Sequence, residues 1–286
     1  MLRHLLLLSL LAWTACTSPT AETQQPVSAP TARPTDEVHT GTATTARPDT
    51  IAPVGVLLAQ LPPDLRGRGQ LLEAWRWPDA NGENLLTVFR TVSKSAAEQL
   101  AAAKSRQPVV TDSASVVDMA DLERDAELTA RQYVRRPGGT YTELWHLKDA
   151  VRGCPLDLTL RLRPHSTAIT DLDGNGRTET TLLYALACRG GIDPAAFKLV
   201  IHEGTAKYAL RGTTVVEFDS IPARQRKPAN PCCGDQLPTT RRHDGTAAGY
   251  YANEVDFRAA PPAFLRFARQ RWQQFSIEPM SEHEGL

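Results

Sequence analysis

The strongest constraint on how this chain can fold is its repeated punctuation by short turns between strand-like runs. Leu71 to Trp77 and Leu85 to Val92 flank Pro78-Asp-Ala-Asn-Gly-Glu83, and Arg131 to Arg136 and Tyr141 to Leu147 flank Pro137-Gly-Gly139. Phe197 to His202 and Lys207 to Arg211 flank Glu203-Gly-Thr-Ala206. Runs of β-branched and aromatic residues joined by so few residues fold back as antiparallel hairpins. Between the first two hairpins, Ser95 to Arg106 is Ala-rich and predicts a short helix. Near the C-terminus, Phe264, Leu265, Ala268, Trp272 and Phe275 share one helical face between Pro261-Pro262 and Pro279. Arg266, Arg269 and Arg271 fall on the solvated side of that helix. The expected class is a β-rich α+β domain over residues 51–286, an antiparallel sheet of consecutive hairpins with the C-terminal helix packed on it. Residues 219–249, with four prolines and little periodicity, read as a long loop.

The sharpest local signal is Asp171-Leu-Asp-Gly-Asn-Gly-Arg-Thr-Glu179, set between strand-like Ser166 to Thr170 and Thr180 to Ala187. Oxygen side chains at positions 1, 3, 5 and 9, with Gly at 6, match the first part of an EF-hand-type calcium loop. Asp171, Asp173, Asn175, the Arg177 carbonyl and Glu179 are the candidate ligands for Ca2+. Position 12 is Leu182 and the flanks are strands, which excludes a helix-loop-helix calcium sensor. The competing reading is a plain hairpin turn, with Asp and Asn bonded to their own backbone and Gly174 and Gly176 at positive φ.

Cys154, Cys188, Cys232 and Cys233 allow three disulfide pairings. Cys154 with Cys188, bracketing the acidic hairpin, is the first choice. A simple three-strand meander would instead put those two at opposite ends of the sheet, which favours Cys188 with Cys232 or Cys233. A vicinal ring of Cys232 with Cys233 is the further alternative.

The N-terminus carries an address. Met1-Leu-Arg-His4 precedes an apolar run from Leu5 to Trp13, too short to span a bilayer, and the run ends in Trp13-Thr14-Ala15-Cys16. This resembles a bacterial lipobox, with Trp13 where Leu is usual. It implies a signal peptide over 1–15 and acylation of Cys16 with chains such as palmitate, so that the membrane is held through the lipid. The alternative is ordinary secretion after cleavage at Ala15. Residues 17–50 hold ten Thr, five Pro and five Ala with no aromatic residue, and read with Cys16 as a lipidated, disordered tether over 16–50. Export places the cysteines in an oxidising compartment.

Thirty-two basic residues balance 32 acidic ones, which argues against a nucleic-acid partner. No G-x-S-x-G elbow, H-E-x-x-H helix or phosphate-binding loop is present. His146, His165, His202 and His243 are scattered, and His202-Glu203, the nearest thing to a catalytic pair, sits at a hairpin turn. Trp75, Trp77, Tyr141 and Trp145 are the candidate ligand surface, as an aromatic platform for a sugar, although sheet packing explains them equally well.

From Glu143 to Val216 the chain resembles a family of uncharacterised lipoproteins of Bacteroidetes-type bacteria, sometimes labelled surface polysaccharide biosynthesis proteins. The resemblance rests on Glu143-Leu-Trp145, Cys154-Pro-Leu-Asp-Leu158, Thr170-Asp-Leu-Asp-Gly-Asn-Gly176, the Cys188 strand end and Lys207-Tyr-Ala-Leu-Arg-Gly212, with Pro262-Ala-Phe-Leu265 through Trp272 beyond it. The acidic loop also resembles calcium loops of FG-GAP-type repeats, though it occurs once. In the lipoprotein family, cysteines at the places of Cys154 and Cys188 occur together, which implies their pairing. The expectation is a non-enzymatic binding or scaffold lipoprotein of the cell envelope, on the periplasmic or cell-surface side of the outer membrane, with a glycan or protein partner. The alternative is an accessory factor or enzyme of surface polysaccharide assembly.

Overall fold

Among the described residues, two strands are buried over the longest unbroken stretches, and they organise the fold. Gly82–Val92 (β3) is buried without a break from Asn84 to Phe89, and Glu179–Arg189 (β8) from Glu179 to Ala185. A strand buried on both faces must have a layer on each side. The computed structural model describes residues 51–96, 98–100, 119–217, 222–243 and 247–279, all within one compact unit, Arg47–Leu286. Cys16, the signal segment 1–15, the tether, and residues 101–106 of the expected helix lie outside the described residues.

The first sheet orders Val54–Gly55 (β1), Gln70–Asp79 (β2), β3, Arg124–Arg135 (β4) and Tyr141–Cys154 (β5), all antiparallel. The second orders Ala206–Thr213 (β10), Ala196–Glu203 (β9), β8 and Asp157–Leu162 (β6), with Ala168–Thr170 (β7) also paired to β8. Their inner faces share one core: Leu86, Val88, Leu128 and Leu147 from the first sheet meet Leu160, Leu182, Tyr184 and Val200 from the second. The outer face of the first sheet, with Leu85, Phe89 and Tyr133, is covered by Leu61 and Leu65 from short 3-10 turns. The far face of the second sheet, with Leu183, Phe197, Leu199 and Ile201, receives the helix Pro262–Phe275 (α3) through Phe264, Ala268 and Trp272. The Trp272 indole donates to the Gly249 carbonyl at 2.8 Å and meets Phe197 and Tyr251. The three hairpins and the C-terminal helix are present. The single sheet is corrected to two face-to-face sheets, because β3 and β8 each need cover on both sides.

Ser95 and Glu98 form a reciprocal capping box, with bonds of 3.1 and 2.7 Å, at the start of the helical residues 96–100. The described residues of the expected 219–249 loop, 222–243 and 247–249, carry more regular structure than a bare loop. They include the short helices Ala223–Arg226 (α1) and Thr239–His243 (α2), and Gln273 of α3 bonds the carbonyls of Pro228 and Ala229. Two of the three arginines of α3 are used within the chain: Arg269 pairs with Glu254 at 2.6 Å, and Arg271 lies over the Phe275 ring and donates to the Ser166 carbonyl. At the chain's end, Ile277–Glu278 (β12) runs parallel to Val215–Val216 (β11). Glu278 is pinned there by a buried ion pair with Arg189 and by the Thr214 hydroxyl at 2.9 Å.

Cys154 and Cys188 form a disulfide with Cα atoms 5.5 Å apart, and Cys232 is bonded to Cys233. The objection from a three-strand meander fails because β6 and β7 lie end to end along one side of β8. Asp157–Leu162 pairs with 184–189 and Ala168–Thr170 with 179–181. Together they form one interrupted arm of a two-armed hairpin, and Cys188 returns opposite Leu158, beside Cys154.

Candidate metal centre

The acidic loop closes the hairpin between β7 and β8, where Thr170 stands opposite Glu179. Gly174 and Gly176 take φ of 73° and 80°, the left-handed region that the tight turn requires. The carboxylates then fold inward on backbone donors. Asp171 Oδ2 accepts from Gly176 N–H at 3.1 Å, Asp173 Oδ1 from Asn175 N–H at 3.2 Å, and Asn175 Oδ1 from Arg177 N–H at 2.7 Å. To this point the loop is the Asx turn that the plainer reading expects.

Glu179 goes further. It is fully buried, and its Oε2 accepts from the Leu172 N–H and the Thr170 hydroxyl, each at 2.9 Å. Its Oε1 is buried with no hydrogen-bond partner, and so is Oδ1 of Asp171. One oxygen each from Asp171, Asp173 and Glu179 lie within 4.8 Å of one another. Burial pushes the Glu179 carboxyl up to about 7 against the two donors, and the charge of Asp173 adds to the rise. Two orphaned carboxylate oxygens on members of a three-acid cluster are acceptors without a donor. A cation of coordination chemistry suited to oxygen is what such a set can hold.

The loop is also fastened to the first sheet. Asp79, in the β2–β3 turn, accepts the Thr178 N–H at 3.0 Å and its hydroxyl at 2.8 Å, and the Trp77 indole donates to Thr178 Oγ1 at 2.8 Å. Ala80 N–H donates to the Gly176 carbonyl at 2.8 Å. Asn175 Nδ2 reaches Asp173 and, from the β9–β10 turn, Glu203. Thus two turns meet the loop, and a ligand held by Asp171, Asp173 and Glu179 would fix the end of both sheets.

Asp171, Asp173 and Glu179 are therefore brought together as the motif suggests. Asn175 and Arg177 lie in the same turn, with Asn175 bonded to both acidic neighbours and Arg177 giving its N–H to Asn175. Leu182, at position 12, is core. Thr170, Thr178 and Asp79 carry no motif signal, and only the tertiary pairing reveals them.

The aromatic set does not assemble into one surface. Trp77 and Trp145 are 1% and 6% exposed, packed between the sheets, with Trp145 stacked on His202 at 4.1 Å and its indole bonded to Gln132 at 2.8 Å. Trp75 packs partly against that same core, whereas Tyr141 belongs to the opposite face of the sheet, with its hydroxyl on Glu83. Nor do His202 and Glu203 make a catalytic pair. Both ring nitrogens of His202 are buried without a partner, burial pushes its pKa down to about 4, and Glu203 faces Asn175. His146 sits exposed on Glu143 at 2.8 Å, and His165 occupies a turn at φ 57°.

Among the described residues no helix is long and apolar enough to cross a membrane. Comparison with protein-family models, with curated proteins and with solved structures returns no match.

Proposed function

We propose that this chain is a lipid-tethered envelope protein whose folded part is a non-enzymatic binding or scaffold module, with a calcium ion at Asp171, Asp173 and Glu179. The observation that carries the metal is the cluster of one oxygen each from Asp171, Asp173 and Glu179 within 4.8 Å, in which Glu179 and Asp171 each also have a buried, unpartnered carboxylate oxygen. Calcium suits the set because the donors are hard oxygens in a loop of irregular geometry, and it accepts such geometry more readily than magnesium does. Asn175 Oδ1 and the Arg177 carbonyl complete the proposed ligand set. The tether and the envelope address rest on Cys16 and the Thr/Pro/Ala-rich residues after it. The burial of Trp77 and Trp145 favours a binding or scaffold role over a glycan-processing enzyme, which would need an open aromatic cleft.

Lacking a bidentate ligand at position 12, the site is expected to bind with Kd of ~10⁻⁴ to 10⁻³ M. At a hundredfold excess over Kd the folded form gains about 2.7 kcal/mol. For a domain of this size that raises the melting temperature by about 5–10 °C. The measurement is thermal melting of the full chain carrying Cys16→Ser, in about 10–100 mM calcium, a hundredfold over that Kd, and in chelator. Asp171→Ala with Asp173→Ala should abolish the shift. A chain insensitive to calcium, or a shift that survives in the double variant, rejects this site.

The tether has its own test. Wild-type chain is expected to carry acyl chains on Cys16, and Cys16→Ser, which lacks the acyl acceptor, to be unlipidated and no longer held at the membrane through an N-terminal lipid. Mass spectrometry finding an unmodified Cys16 on the mature wild-type chain would refute the anchor.

A further inference from the structure

A second site, separate from the metal loop, lies on the outer face of the first sheet. Residues 64–68 and the outward side chains of β3 and β4 wall a cleft of about 480 Å³, within the range of small-molecule sites. Leu86 and Val88 enter the core between the sheets, whereas Phe89 faces outward, and Thr87 and Thr91 share its side of β3. Thr129, between Leu128 and Ala130 of that inner core, faces outward on β4 directly opposite Phe89. All three threonines line the cleft, and none of their hydroxyls has a hydrogen-bond partner among the described residues. The apolar side chains of the lining, Leu65, Phe89 and Tyr133, are turned into the core behind it and are at most 9% exposed.

The charged part of the wall is of mixed sign, and most of it is already used. Arg66 donates to the carbonyls of Leu61 and Ala59 at 3.1 and 3.2 Å, Arg131 pairs with Glu143 at 3.1 Å, and Glu127 pairs with Lys148 and Arg152 at 2.9 and 2.7 Å. Asp64 and Arg68, exposed in the wall, have no hydrogen bond or ion pair among the described residues. The backbone that presents Arg68 is fixed by glycine on either side. A Cβ at Gly67 would come within 2.6 Å of the Phe89 ring, and Gly69 takes φ of 87° against the Arg90 carbonyl.

Each class of ligand leaves a different remainder in such a cleft. An apolar ligand would strand the three hydroxyls and both charges. An anion would meet Asp64, and a cation would meet Arg68. A zwitterion such as a free amino acid would satisfy those two charges and leave the threonines unmatched. A saccharide leaves nothing over. Neighbouring hydroxyls of a sugar ring can donate together to a carboxylate or accept together from the fork of a guanidinium, and a hydroxyl pairs with a threonine in either direction.

We infer that this cleft binds an uncharged saccharide, held from the sheet by Thr87, Thr91 and Thr129 and from the wall by Asp64 and Arg68. Thr87 and Thr91 stand four residues apart on one strand, about 13 Å at about 3.3 Å per residue, which suits two linked sugar rings better than one. The inference names a ligand for the binding module proposed above and rests on that reading.

The experiment is calorimetric titration of the full chain carrying Cys16→Ser, in chelator, with lactose, maltose, cellobiose and di-N-acetylchitobiose. Glycine and sodium phosphate are the references. Saturable binding of at least one disaccharide is expected, with no competition from glycine or phosphate. Thr129→Val keeps the β-branched shape and removes only the hydroxyl, and it should weaken binding tenfold or more. Asp64→Ala, at an exposed position, should do the same and carries the test should the Thr129 variant fold poorly. Binding of none of the four disaccharides, binding unchanged in Asp64→Ala, or displacement by glycine overturns the inference. Those results would leave the calcium response and the acyl anchor, which have their own tests, untouched. Chromatography of the disaccharide after incubation separates the cleft from the reading it rests on, because cleavage would sink the non-enzymatic role and keep the cleft as a saccharide site.

Discussion

Glu179→Gln is expected to stabilise the metal-free protein at pH 8 by up to about 3 kcal/mol while removing its response to calcium. The carboxyl is raised from 4.5 to about 7 in the folded chain. Such a group contributes stability that is present below pH 4.5 and lost as pH rises through 7, and 2.5 units correspond to about 3 kcal/mol at 1.36 kcal/mol per unit. Glutamine keeps an acceptor for the Leu172 N–H and the Thr170 hydroxyl, carries no charge, and places an amide NH2 where Oε1 has no partner. At pH 4 the two proteins should melt within about 1 kcal/mol of each other, since the acid is then protonated in the parent. His202 works in the opposite direction. Its pKa is lowered to about 4, so stability falls as pH drops from 6.5 through 4, and this slope is common to both chains. Subtracting one profile from the other isolates Glu179. Denaturant melts in chelator at pH 4, 6 and 8 provide the measurement, repeated at pH 8 in calcium. A Glu179→Gln chain that is less stable than the parent at pH 8 without metal would mean that the carboxylate serves the fold alone.

How much of this was legible in the sequence depends on whether the signal was local. The β2–β3 turn is written in Ala80-Asn-Gly82, and Gly82 sits at φ 130° with its backbone against Arg135, where a side chain would collide. The acidic loop is equally local, since Asp-x-Asp-x-Asn-Gly fixes its own turn through bonds no more than five residues apart. The division into two sheets is not local. β3 and β8 are buried without a break, polar Asn84, Thr87, Thr180 and Thr181 included, so no apolar alternation says which residue faces which layer; Leu182 and Leu183 enter different cores. The interruption between β6 and β7 carries only Pro164 as a mark, and the disulfide geometry follows from that interruption. Trp77 and Trp145 look alike to Trp75 in sequence, and only the second sheet decides that they are interior. The burial of Glu179 is likewise tertiary, because the loop is closed over by Asp79 and Trp77, about a hundred residues away.

Removing the Cys154–Cys188 disulfide, as Cys154→Ala with Cys188→Ala, is expected to destabilise the protein by about 4 kcal/mol without touching the calcium response. The bond closes a loop of 34 residues. Opening it restores conformational entropy to the unfolded chain, and for a loop of that length the loss of stability is about 4 kcal/mol. In melting temperature this is a fall of about 8–16 °C. The same hairpin is thus held at two ends: by the disulfide beside Cys188, and by the acidic loop at Glu179. Strand β8 separates the two by nine residues, roughly 30 Å at about 3.3 Å per residue. Effects so far apart, one acting on the unfolded chain and one on the folded site, should add to within about 0.5 kcal/mol. The calcium increment measured in the disulfide-free chain should therefore equal that of the parent, in melts run side by side with and without chelator. Non-reducing peptide mapping of the parent establishes the bond before the comparison is made. A calcium response that disappears with the disulfide would show that the loop is not ordered by its own turn and by Asp79, and that the carboxylates converge only while the far end of the hairpin is closed.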